Sequence, residues 1–177
     1  LLLRNRSIRA AAFEGMSEQH NVTDALVHYH TSVAKGGVGM TTVAYASVSN
    51  SGLSFPHQLW MRKEIVGNLK KLTGSVHHEG AAVSVQIGHC GNMANSTVTE
   101  VRPLAPSGGL NWYGPTFPRS MKPHDIEEVK NDFKNAVHIA AESGFDAVEV
   151  HAGHGYLISQ FLSPYTNKRR DEYGGSF

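Results

Sequence analysis

The sequence predicts an α/β fold of parallel strands, best fitted by a (β/α)8 TIM-barrel type of which this chain supplies the first four β/α units. Short apolar runs alternate with stretches of helical periodicity, the pattern of strand-helix-strand units in a parallel sheet. Each strand leads toward a helix, and right-handed crossovers then keep successive strands parallel. The 177 residues fall short of the ~250 that a whole barrel typically needs, so the chain reads as the first half of one. A complete small doubly wound sheet is the alternative. It is disfavoured because no Gly-x-Gly-x-x-Gly follows a strand and no Gly-Lys-Ser/Thr phosphate loop occurs.

Ser7 to Ala12 is the first predicted strand, followed by a helix from Asp24 to Ala34 with Thr23 as N-cap and Gly36-Gly37 as stop signal. Val38 to Ser47 is the second strand. Arg62 to His78 is the second helix, carrying Ile65, Val66, Leu69, Leu72 and Val76 on one face, with Gly80 beyond its end. The third strand is Ala82 to Ile87. Pro123-His124-Asp125 opens a third helix that runs through Ser143, its apolar face being Ile126, Val129, Phe133, Val137 and Ala140. Phe145 to His151 is the fourth strand.

Between the third strand and the third helix, Gly88 to Asp125 is far longer than a connection requires and carries five prolines. In a parallel barrel it leaves the face where active sites lie, which makes it a candidate lid. Trp112, Tyr113 and Phe117 predict that it packs against something.

Composition excludes several classes of function. A net charge of +1 gives no basic field for nucleic acid, and no apolar stretch is long enough to span a membrane. The single cysteine, Cys90, excludes an internal disulfide and a Cys-rich zinc site and suits a reducing, cytoplasmic setting. Leu1 to Phe13, with three arginines and no acid, carries the bias of a mitochondrial transit peptide as the competing reading. Leu1 in place of Met and the Gly-Gly-Ser turn before Phe177 read as cut ends.

Strand alternation places Ala82, Ser84 and Gln86 on one face of the third strand and Val83, Val85 and Ile87 on the face covered by helices. On the fourth, Ala147, Glu149 and His151 oppose Val148 and Val150. The segment from Val148 to Leu157 is the most informative. His151 and His154 leave the strand end with small residues between them, and Tyr156 follows. Two neutral imidazoles converging on one oxygen stabilise a developing enolate, and a tyrosine beside them can protonate carbon. With His89 the same histidines suit an open zinc site of a hydrolase, and spacing alone leaves both chemistries open.

The run from Glu142 to Ser176, containing Val150-His-Ala-Gly-His-Gly-Tyr-Leu157 and Asn167-Lys-Arg-Arg-Asp-Glu-Tyr-Gly-Gly175, resembles the hallmark of the old yellow enzyme family of FMN-dependent NADH:flavin oxidoreductases. Arg4-Asn5-Arg6, Gly36-Gly37-Val38-Gly39, Gln86-Ile-Gly-His-Cys-Gly91 and Ala105-Pro106-Ser107 agree in the family's order. The resemblance implies that residues 1–177 are the N-terminal part of one flavin-binding TIM-barrel domain. It implies FMN as cofactor, NADH or NADPH as reductant and an activated alkene as small-molecule substrate. His151 and His154 would bind the substrate oxygen and Tyr156 would donate the proton. Gln86 would meet the pyrimidine edge of the flavin, and Ala10, Ala11 and Ala12 would lie against its ring. Ala44 or Tyr45 would make the second-strand contact, where the family often has a small residue.

Three departures qualify the resemblance. Asn92 stands where the family often has Arg, and Phe13 stands near a position where some members have Thr or Cys. The family's phosphate site lies on later strands. The isolated chain is therefore expected to bind FMN weakly or not at all, with an inactive truncated fragment as one alternative, and its open edges call for a covering partner such as a second copy in a homo-oligomer.

Overall fold

The computed structural model describes residues 1–175; Ser176, the last residue of the hallmark run, and Phe177 lie outside the described residues. Strand β1 (Ile8–Arg9) is followed by α1 (Asp24–Lys35), β2 (Met40–Ser47), α2 (Val66–His78) and β3 (Ala82–Gly88). A short α3 (Ser96–Thr99) and a two-stranded pair, β4 (Leu104–Ala105) with β5 (Arg119–Ser120), interrupt the long connection. The chain then forms α4 (Pro123–Glu142), β6 (Ala147–Val150) and α5 (Leu157–Leu162). The main sheet has the order β1-β2-β3-β6, every pair parallel, as a barrel wall built strand by strand requires. Among the described residues no helix is long and apolar enough to cross a membrane.

The helices cover one face of this sheet. Val43, Val83, Val85 and Ile87 bury against Leu26, Ala34, Leu69, Leu72, Val76, Ala136 and Ala140, so the predicted outward face of the third strand is the observed core. Thr23 caps α1 as expected, its hydroxyl accepting from the Leu26 N–H at 3.2 Å. The apolar face of α4 differs at one position. Ala136 is buried and Val137 is 41% exposed, because the spacing 129, 133, 136, 140 keeps the stripe in line with the sheet.

Both outer strands are shorter than their sequence patterns. β1 keeps Ile8–Arg9 of the predicted Ser7 to Ala12, and β6 keeps Ala147–Val150 of Phe145 to His151. Each has a neighbour on one side only, β1 pairing with β2 over Ile8–Arg9 and β6 with β3 over Ala147–Val150. Val150, expected against helices, is 52% exposed at the open edge. It continues into an apolar groove of about 640 Å³ between α4 and α5, lined by Val129, Phe133, Ile158, Phe161 and Leu162.

Of the arginines that give Leu1 to Phe13 its transit-like bias, Arg4 and Arg9 are bonded within the fold. Arg4 donates to the carbonyls of Ala34, Val38 and Glu79, two of them at the carboxyl ends of α1 and α2. Arg9 donates to Thr42 O at 2.5 Å and to the Glu14 carboxylate at 2.6 Å.

The long connection is fastened where α4 begins. Arg119 on β5 grips the Asp125 carboxylate through two bonds of 2.7 and 2.6 Å, and the Lys122 N–H donates to the same group at 2.7 Å. These bonds, the guanidinium first, hold the Asp125 carboxyl down to about 2 from an ordinary 3.8. A lowered folded value contributes stability that is complete above the unfolded value and is lost as pH falls toward the folded one. Asp125→Asn should therefore lower the urea midpoint at neutral pH and flatten its decline between about pH 4 and pH 2. An unchanged acid decline in the variant would refute the role of this pair.

Candidate active site

The candidate residues gather at the carboxyl ends of β2, β3 and β6, where parallel strands deliver their loops. Register accounts for the second strand. Val43 pairs with Val85 and Ala46 with Ile87, so β2 carries one residue more than β3 across this interval. The resulting bulge breaks alternation and leaves Ala44 and Tyr45 in one buried cluster, with Cys90 and Ala94. The sequence offered these two residues as alternatives for a flavin contact; both lie in this cluster. Ala11, Met93 and Tyr156 pack against the same cluster.

On β3, Gln86 is buried on the inner face and donates to the Glu149 carboxylate on β6 at 2.5 Å. Deeper in the same face the hydroxyls of Thr42 and Ser84 are 2.7 Å apart. Ala10, Ala11 and Ala12 leave β1 as an irregular, largely open ledge. Among the described residues the N–H groups of Ala11, Ala12 and Phe13 meet no acceptor. An alanine-walled ledge with free backbone donors beside a fixed amide side chain fits a planar heteroaromatic ring carrying carbonyl and nitrogen acceptors. Phe13 adds an aromatic wall, stacked on Phe55 at 4.9 Å and tilted against Tyr45 at 5.7 Å.

The histidines and tyrosine converge as expected. His151 extends the ladder, its N–H donating to Ile87 O at 2.9 Å, and the chain then turns through His154 at φ +54 and Gly155 at φ +69. A left-handed conformation at a non-glycine residue aims the His154 ring back at His151. Their rings are perpendicular with centroids 5.0 Å apart, and His154 Nδ1 lies 3.2 Å from His151 Nε2. The Gly153 N–H donates to His151 Nδ1 at 3.3 Å, which assigns the neutral ring's proton to Nε2. Burial, followed by the neighbouring His154, lowers the His151 pKa and favours the neutral form. The Tyr156 ring lies edge-on to His151 at 4.9 Å, and its hydroxyl is 3.0 Å from that of Tyr45.

His89 does not join them. It is fully buried, with Nε2 3.1 Å from Ser51 Oγ and Nδ1 accepting from the Gly91 N–H at 3.0 Å. Both nitrogens are thus engaged away from His151 and His154, and no metal-binding group of His, Cys, Asp or Glu occurs among the described residues. The zinc reading of these three histidines fails on this geometry.

Sequence reasoning gave no role to Gln160, although it lies within the hallmark run. Its buried amide nitrogen, with two hydrogens to donate, lies 3.1 Å from Cys90 O, 2.8 Å from Asn92 Oδ1 and 2.7 Å from Gly155 O, and its oxygen accepts from the Asn92 N–H at 3.0 Å. It clamps the loop after β3 to the loop after β6. A side chain at Gly91, φ +62, would strike this amide. Past α5, Arg169 donates to Pro106 O and Met121 O, and Lys168 N donates to Ser107 Oγ, so the end of the run secures the long connection.

That connection borders a cavity of about 600 Å³ with His154 and Gly155 at one end and Leu110, Trp112 and Tyr113 at the other. Contrary to the packing expected, Trp112 is 79% and Tyr113 89% exposed, and Phe117 is also exposed. The pair rims the cavity instead of filling a core.

Burial holds the His89 pKa down at about 4 against an ordinary 6.5. Below pH 6.5 the unfolded chain takes a proton that folded His89 refuses, so stability falls from there to about pH 4. His89→Gln should remove from the stability profile a slope of about 1.4 kcal/mol per pH unit over this range. Parallel profiles for the two proteins would show that His89 is not the group responsible.

The sequence profile of the NADH:flavin oxidoreductase / NADH oxidase family matches residues 1–177. A 4,4'-dithiodibutanoate disulfide reductase of Rhodococcus erythropolis is 43% identical over 176 residues, 99% of this chain and 44% of that protein. An NADPH dehydrogenase of Listeria monocytogenes is 41% identical over 155 residues, 86% of this chain and 45% of its own length. The old yellow enzyme homologue from Zymomonas mobilis superposes with a TM-score of 0.90 at 29% identity, covering 98% of this chain and 52% of that one. Old Yellow Enzyme from Pichia sp. AKU4542 gives 0.92 at 26% identity, covering 98% and 49%. The chain thus spans about half the length of the relatives it matches, in the fold of their barrels. A profile match from its first residue to its last, joined by that likeness in sequence and fold, means that this chain belongs to the NADH:flavin oxidoreductase / NADH oxidase family.

Proposed function

We propose that this chain is the N-terminal part of a single flavin-binding barrel domain of an FMN-dependent oxidoreductase, using NADH or NADPH to reduce activated alkenes. The observation that carries the reading is the meeting of His151, His154 and Tyr156 beside the alanine ledge and Gln86. Ala10, Ala11, Ala12, Ala44 and Tyr45 would hold the FMN ring, with Gln86 at its pyrimidine edge. When bound, FMN supplies hydride transfer from the nicotinamide to the β-carbon of the alkene. The free edge of β6 and the groove beside α4 and α5 are the faces from which the barrel continues.

A substrate carbonyl oxygen set against the histidine pair would take the His151 Nε2–H, which here points at His154 Nδ1 3.2 Å away, together with the N–H on the far nitrogen of His154, so that donors face the charge that develops there. Neutrality matters because an imidazolium would bind the ground-state anion of many metabolites as readily as the transition state. Tyr156, half-buried and next to His151, donates its hydroxyl proton to the α-carbon. The cavity rimmed by Trp112 and Tyr113 takes the part of the substrate that does not react.

In the flavin-loaded enzyme, Tyr156→Phe should slow alkene reduction by about 10²-fold or more, as loss of a general acid does, while reduction by the nicotinamide changes little. Equal losses in both half-reactions would refute the proton-donor role. Trp112→Ala should raise KM for a bulky alkene more than it lowers kcat; an effect on kcat alone would place Trp112 outside substrate binding.

A further inference from the structure

Tyr45 sits at the centre of a buried polar group. Its hydroxyl lies 3.0 Å from that of Tyr156, 3.2 Å from Ser54 Oγ and 3.3 Å from Cys90 Sγ. The Ser54 hydroxyl donates to Cys90 Sγ at 2.5 Å. Cys90 is fully buried, so this group has no opening to solvent on its far side. Counting protons sets the direction of each bond. With its only hydrogen committed to Cys90, Ser54 meets Tyr45 solely as an acceptor. The one hydroxyl proton of Tyr45 then has three acceptors in reach, Tyr156 Oη, Ser54 Oγ and the weaker Cys90 Sγ, with Tyr156 the nearest. Donation to Tyr156 leaves the Tyr156 proton free to point out toward the open side of the site.

We propose that Tyr45 is a positioning residue that donates its hydroxyl proton to the Tyr156 oxygen, turning the Tyr156 proton toward substrate and stabilising the charge left when that proton departs. The inference rests on Tyr156 as proton donor for its use in the reaction, though not for its geometry. In the step, the Tyr156 O–H bond breaks as a C–H bond forms at the α-carbon, and the electron pair stays on the Tyr156 oxygen. The bond from Tyr45 to that oxygen tightens as charge appears, because hydrogen bonds to ionised acceptors are shorter and stronger. Water then restores the proton from the exposed side of Tyr156.

The setting gives this bond its value. Burial raises the pKa of Tyr156 and the bond from Tyr45 lowers it, so the two oppose each other at one oxygen. Tyr45 itself is raised far above the ordinary tyrosine range, chiefly by burial, and keeps its proton to donate. The other titratable groups facing Tyr156 are His151 and His154 on its own loop, with Cys90 behind it on the loop after β3 and Glu149 behind His151. None of these has an observed hydrogen bond to the Tyr156 hydroxyl.

The test is fluorotyrosine at position 156 in the full chain, titrated by fluorine NMR so that this one phenol is read directly. Tyr45→Phe removes the donor and keeps the ring, and should raise the pKa at position 156 by about one unit, the lower end expected for a bond to a charged group. Cys90→Ala removes the competing sulfur acceptor of Tyr45 and the group that raises Tyr156, and should lower it. Opposite signs are the signature, since general loosening of the site moves both variants the same way. Shifts of the same sign, or none, overturn the proposal. If Tyr45→Phe does not fold, Cys90→Ala decides alone, and an unchanged or raised value contradicts the proposal. The proton-donor reading stands or falls separately: Tyr156→Phe with undiminished alkene reduction would overturn that reading and leave the NMR coupling intact.

Discussion

Parallel strands deliver their loops at one end, and the pairing of β3 with β6 decides which loops meet there. The bond from His151 N–H to Ile87 O is the last rung of that ladder. Beyond it the chain is free to turn, and the turn through His154 and Gly155 brings two imidazoles and a phenol to the mouth of the inner face. One register step in either direction would exchange Gln86 for Val85 or Ile87, or Glu149 for Val148 or Val150, and bury apolar side chains where polar ones now line the site.

The rest of the structure secures this arrangement from outside. Helices α1, α2 and α4 cover one face of the sheet and leave the other open. Gln160 fixes the loops after β3 and β6 to each other, and the Arg119–Asp125 and Arg169 contacts hold the long connection at the cavity rim. Few of these bonds are exposed ion pairs of small value. The bonds of Gln160 and Arg169 to backbone carbonyls are directed, and hold loops in one geometry because each alternative leaves a buried acceptor unmet. A site built on loops needs such supports to place side chains to within a fraction of an ångström.

Much of this was legible in the sequence. The alternation of Val83, Val85 and Ile87 with Ser84 and Gln86, the cap at Thr23 and the spacing of His151, His154 and Tyr156 are local patterns, and each appears as read. Features that depend on a partner strand or a distant segment were not legible. The bulge that brings both Ala44 and Tyr45 to the site exists only in the register of β2 on β3. The short β1 and β6 reflect neighbours present on one side only. His89 looked like a ligand because the bonds of its ring nitrogens to Ser51 Oγ and the Gly91 N–H are invisible in spacing, and Trp112 and Tyr113 looked packed because aromaticity alone does not reveal what a loop faces. The bond between Tyr45 and Tyr156 joins residues far apart in the chain, and no motif records it.

The central claim is that a flavin ring lies on the ledge of Ala10 to Ala12 beside the histidine pair. The measurement that tests it most directly is a visible difference spectrum on titrating FMN into the protein, repeated with Ala11→Trp, whose indole would occupy the ledge. The account predicts a saturable perturbation of the flavin bands at high FMN with the parent chain and none with the variant. Identical spectra from the two proteins, or an unperturbed flavin together with stoichiometric zinc, would contradict it.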